Sequence, residues 1–95
     1  MIYDISPYSF KIAKKLKVII KPSNKPKYKI DIFDRDNNYI TSIGAKGYND
    51  YELYLKNEGE AIAHKKRILY YGRHKNDLSV ENSRGFYAWK ILWRG

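Results

Sequence analysis

The chain has 95 residues, with 19 Lys and Arg against 10 Asp and Glu, a formal charge of +9, 16% aromatic residues and no cysteine. That length holds one domain with a modest core, and the lack of Cys excludes disulfides, thiolate zinc sites, thiol nucleophiles and iron–sulfur ligation. The charge points to an anionic partner: nucleic acid, an acidic surface or an acidic protein.

Residues 1–27 carry seven Lys against one Asp. Ser6-Pro7 is a helix start, with Ser as the cap and Pro tolerated in the first turn. Phe10, Ala13 and Leu16 then recur at helical spacing, and Lys11, Lys14, Lys15 and Lys17 lie on the other side. The spacing predicts a short basic helix over 7–17, with Phe10 on its core side. Val18-Ile19-Ile20 favours extended chain, and the stretch from Lys21 to Pro26 reads as a connector. We therefore expect residues 1–26 to form a basic N-terminal segment. No apolar run approaches the roughly 20 residues of a membrane span, and the N-terminus lacks the charge pattern of a secretion signal. Neither a span nor secretion is expected.

A hairpin is expected over about 27–43. Tyr28, Ile30 and Ile32 alternate with Lys29, Asp31 and Phe33, the stretch Asp34-Arg35-Asp36-Asn37-Asn38 supplies turn chemistry, and Tyr39–Ile43 returns. A hairpin alone is marginal in water, so helices must cover it. Asn49 or Asp50 caps a short turn through Tyr51, Leu53, Tyr54 and Leu55.

The pattern is helical again over about 60–75. At 100° per residue, Ala61, Ile62, Ile68, Leu69 and Gly72 gather on one side, crossed by the Lys65 stem. His64, Arg67, Tyr71, His74 and Lys75 gather on another. We expect the aliphatic side to enter the core and the basic side to face outward. After a polar linker, residues 84–94 form a Trp-rich helix in which Phe86, Trp89 and Trp93 share a side. The expected class is α+β: a small antiparallel sheet packed by the basic helix and the Trp-rich helix, with 27–95 as a single domain.

Three blocks carry a resemblance. Ile43-Gly44-Ala45-Lys46-Gly47-Tyr48-Asn49-Asp50-Tyr51, then the basic run closing on Tyr70, Tyr71, Arg73 and His74, then Gly85-Phe86-Tyr87-Ala88-Trp89-Lys90-Ile91-Leu92-Trp93, resemble a family of short basic proteins. Large nucleocytoplasmic DNA viruses encode that family, which has no assigned activity. Ala88 stands where the family commonly has Arg. The resemblance implies a shared fold and a setting in the virion or the infected host cell. It implies no catalytic residue.

Chemistry is sparse. His64 and His74, ten residues apart on one helix, are about 15 Å apart along its axis, too far to share a metal. Asp31, Asp34 and Asp36 lack the Gly and distal Glu of a calcium loop, and Gly44-Ala45-Lys46-Gly47 is too short for a phosphate loop. Arg73-His74-Lys75-Asn76 is similar to part of a His-and-Asn nuclease finger, without its other ligands. Cations interleaved with aromatics are the remaining signal. They neutralise phosphates and offer stacking surfaces without base readout. The expected function is therefore non-enzymatic, sequence-independent nucleic-acid binding through His64, Lys65, Lys66, Arg67, Tyr71, Arg73, His74 and Lys75, with Lys11, Lys14, Lys15 and Lys17 as a second contact. No cofactor or metal is expected. The alternative partner for the same face is an acidic virion protein, in a minor capsid or core cement role. A metal-dependent nuclease is the weakest alternative.

Overall fold

The computed structural model describes residues 3–95. Its elements, in order, are α1 (Pro7–Lys15), β1 (Ile19–Pro22), β2 (Tyr28–Phe33), β3 (Tyr39–Ala45), α2 (Tyr51–Glu58), α3 (Glu60–Leu78) and α4 (Arg84–Leu92). The class is α+β, with an antiparallel sheet ordered β1-β2-β3. The chain groups into two compact units, a first ending at Tyr48 and a second spanning Asn49–Gly95. The N-terminal helix falls in the same unit as the hairpin.

In the first unit, Ser6 caps α1 by accepting from the Ser9 amide, and Pro7 occupies the first turn. Lys17 follows the helix in left-handed conformation, φ 61°, a position that usually favours glycine. Its amide bonds to Lys14 and that of Val18 to Ala13, which closes the helix and turns the chain into β1. Cross-strand pairing sets Ile20 opposite Ile32 and Ile30 opposite Ile43. These four isoleucines share one sheet face and are buried.

The alternation expected for β2 is only half realised, because Lys29 and Asp31 are buried as well. Lys29 lies over the Tyr3 ring at 5.2 Å. Asp31 accepts from Ser42 Oγ at 2.6 Å and from Lys25 Nζ at 3.2 Å. The same face carries Lys21 over Phe33 and Lys25 over Tyr39, so rings and amphipathic stems cover it. At the hairpin tip, Asp34 Oδ1 accepts the amides of Asp36 and Asn38, both at 2.9 Å. The Asp34 carboxylate is thereby committed to holding the turn.

The second unit is a helical assembly in which α3 packs against both α2 and α4. Asp50 is buried and caps α2, accepting from the Leu53 amide at 3.1 Å. Gly59, at φ 92°, separates α2 from α3. Helix α3 runs three residues beyond the expected 75 to Leu78. Gly85 lets α4 start close to the end of α3, since a Cβ there would lie 2.8 Å from Asp77 Cβ. Ser83 caps α4, and the buried Tyr87 hydroxyl donates to Asn82 Oδ1 at 2.9 Å.

Candidate nucleic-acid interface

Helix α3 is turned around its axis relative to expectation. Ala63 and Leu78 are buried, with Lys66, Arg67, Tyr70 and His74 partly so, whereas Ile68 and Leu69 are more than half exposed, at 55% and 51%. The reason is that this unit's core is aromatic. The Tyr70 ring stacks on Trp93 at 4.5 Å and 14° and on Trp89 at 6.1 Å and 6°, with His74 against it at 4.4 Å. Two indoles offer α3 more apolar area than an aliphatic stripe does. Burial pushes the Tyr70 hydroxyl above the usual tyrosine range.

Arg67 was expected at the centre of the outer basic face and does not sit there. Its Nε donates to the Trp93 carbonyl at 2.9 Å and one terminal nitrogen to the Arg94 carbonyl at 3.0 Å. The guanidinium also lies over Trp89, 4.7 Å from the ring centroid. The Trp93 carbonyl is one that the end of α4 leaves without a helical partner, and Arg94 is the next residue of the chain, so Arg67 caps the helix. Arg94 is equally engaged, pairing bidentately with Glu52 at 2.7 and 3.0 Å and lying over Tyr51. Lys66 lies over Tyr54. Of the eight α3 residues expected to bind, Lys66, Arg67 and His74 thus face rings or carbonyls of their own unit. His64, Lys65, Tyr71, Arg73 and Lys75 are exposed, with Tyr71 also against Trp89 at 5.4 Å.

No family model, curated protein or solved structure matches the chain. Several residues of the three blocks serve the scaffold: Asp50 caps, Gly85 admits a close approach, and Tyr70 lies against His74, Trp89 and Trp93, whereas Tyr48, Tyr71 and Arg73 are exposed.

The first unit holds a different arrangement. Phe10, Ala13, Lys14 and Lys17 of α1 and its exit, Val18, Ile19 and Ile20 leading into β1, and Arg35 of the hairpin tip line a groove of about 270 Å³. Its floor is apolar. Lys14, Lys17 and Arg35 are exposed at its rim, and no carboxylate lines it. The Phe10 ring, expected in the core, is 50% exposed there. Lys11 and Lys15 extend the positive surface along α1. Phe10 was not expected at a site because its spacing with Ala13 and Leu16 reads as core. Arg35 carried no signal, since only folding brings the hairpin tip to α1.

Among the described residues, no three His, Asp or Glu side chains gather as a metal site requires, and no helix is long and apolar enough to cross a membrane.

Proposed function

We propose that the protein binds single-stranded nucleic acid without sequence preference, and that the α1 groove is the principal contact. The observation that carries this is an exposed aromatic ring, Phe10, set among Lys14, Lys17 and Arg35 in a groove lined by no carboxylate. A base can stack on the ring while neighbouring phosphates meet the cations. At about 270 Å³ the groove is smaller than the roughly 300–1,000 Å³ of sites that enclose a ligand. It suits a strand lying across it. No Asn or Gln lines the groove, so affinity there rests on charge and stacking. The setting we propose is a viral one, on the strength of the three resembling blocks, and the role is a binding one without a catalytic step.

Fluorescence anisotropy with labelled oligothymidine, mixed-sequence single strands and duplex tests this. The expected result is similar affinity across single strands, weaker duplex binding, and a five- to roughly hundred-fold loss for Phe10→Ala at constant salt, the range that one base–aromatic stack supplies. Binding that Phe10→Ala leaves unchanged, or that distinguishes single-stranded sequences strongly, overturns it.

A further inference from the structure

The turn of α3 leaves its outer face exposed among the described residues. Between Glu60 and Asp77 the sequence holds no carboxylate. Ile68 is 55% exposed, Leu69 51% and Ile62 37%, with Lys65, Arg73 and Lys75 exposed among them. Gly72 lies in the middle of this face, and a Cβ built on it meets nothing within 4 Å. A mid-helix glycine weakens a helix, and here no close approach among the described residues accounts for it. It leaves a shallow opening in the helix surface between Ile68 and Leu69, where another backbone can come near.

We infer that the outer face of α3 docks an acidic amphipathic helix of a partner protein. Ile62, Ile68 and Leu69 supply apolar contact of the helix-in-groove kind. Lys65, Arg73 and Lys75 select carboxylates on the flanks of the incoming helix, and Gly72 sets the point of closest approach. Charge decides against a second copy as occupant. An antiparallel copy centred on Leu69 puts Lys65 against Arg73, and a parallel copy puts Lys65 against Lys65, with no acidic residue on the face to offset either. A lipid surface fits less well, because Lys65 and Asn76 lie within the apolar stripe at helical spacing and would be carried into the acyl boundary. Nucleic acid offers nothing to the exposed aliphatic side chains.

The probe is a designed 21-residue helical peptide with a Leu/Ala stripe flanked by Glu, measured by anisotropy against the full chain. Two controls keep the length: one replaces the flanking Glu by Lys, the other replaces the stripe Leu by Ser and keeps Glu. Binding of the first peptide alone is expected, and Gly72→Leu is expected to weaken it at least ten-fold while raising the thermal midpoint by about 4 °C, since the added side chain meets only open space and improves helix propensity. Gly72→Leu leaves oligonucleotide binding unchanged, which separates this inference from the groove. No peptide binding, equal binding of the Ser control, insensitivity to Gly72→Leu, tight binding to phosphatidylserine vesicles in its place, or a concentration-dependent dimer in sedimentation each overturns the proposal.

Discussion

In the first unit, Lys14, Lys17 and Arg35 keep their charges exposed around an apolar groove, whereas in the second Arg67 and Arg94 turn theirs onto carbonyls, a carboxylate and aromatic rings. Both stretches are basic and aromatic in sequence, yet these particular cations end differently because the cores beneath them differ. The sheet unit buries isoleucines, which accept no cation, and its lysines lie along the surface or over flanking rings. The helical unit buries a Tyr–Trp stack whose faces attract guanidinium and whose helix ends need donors. Density of positive charge along a chain therefore does not locate a binding face until the core's chemistry is known.

The sharpest way to break this contrast is Arg67→Ala. Two charge-assisted hydrogen bonds and a stack on Trp89 are lost, and we expect destabilisation of about 2–3 kcal/mol in urea unfolding. Affinity for oligonucleotide under folding conditions should not change. Arg73→Ala, at an exposed position of the same helix, should stay within about 0.5 kcal/mol of wild type. Equal stabilities for the two variants would return Arg67 to the surface.

The buried polar cluster of the first unit offers a second, smaller effect. Burial of Asp31 disfavours its ionisation, but hydrogen bonds from Ser42, Ser23 and Lys25 and the Lys25 charge outweigh that and hold its carboxyl below the usual aspartate range. A lowered folded-state value means that its stabilisation is complete above the ordinary aspartate value of about 3.9 and is lost as pH falls through the lowered one. Asp31→Asn is expected to cost about 1–2 kcal/mol at pH 7. The difference from wild type should narrow on acidification below pH about 4, as followed by thermal melts. A constant difference from pH 7 to 2 would remove the ionised Asp31 from the account.

Lys17→Gly gives a small stability change of opposite sign and the most discriminating one. Left-handed backbone suits glycine, so stability should rise by up to about 1 kcal/mol. Removing one groove cation should at the same time weaken oligonucleotide binding and flatten its salt dependence by about 0.7 in log–log slope. Higher stability with unchanged binding would make Lys17 a surface residue only.

Much of the fold was legible in the chain. Ser6-Pro7, the Tyr28–Ile43 alternation, the Asn49-Asp50 cap signal and the period of residues 60–75 and 84–94 each specify an element through local chemistry, and each element formed, with Asp50 as the cap. The orientation of α3 was not legible, because both of its sides are amphipathic. Ile68 and Leu69 outrank Tyr70, His74 and Arg67 in hydropathy, so periodicity favours the aliphatic side as core. The rings of Trp89 and Trp93, which decide the matter, lie some twenty residues away. The groove shares this non-local origin: Lys14 and Lys17 were visible as a basic cluster, but Arg35 meets them only through the hairpin.

The central claim, that the α1 groove and not α3 is where nucleic acid binds, is tested most directly by the salt dependence of single-strand affinity. Two triple variants serve, Lys14→Gln/Lys17→Gln/Arg35→Gln and Lys65→Gln/Arg73→Gln/Lys75→Gln, each checked for folding by circular dichroism. The groove variant is expected to lose about 2 units of log–log slope, while the α3 variant keeps the wild-type slope. A loss confined to the α3 variant would contradict the assignment.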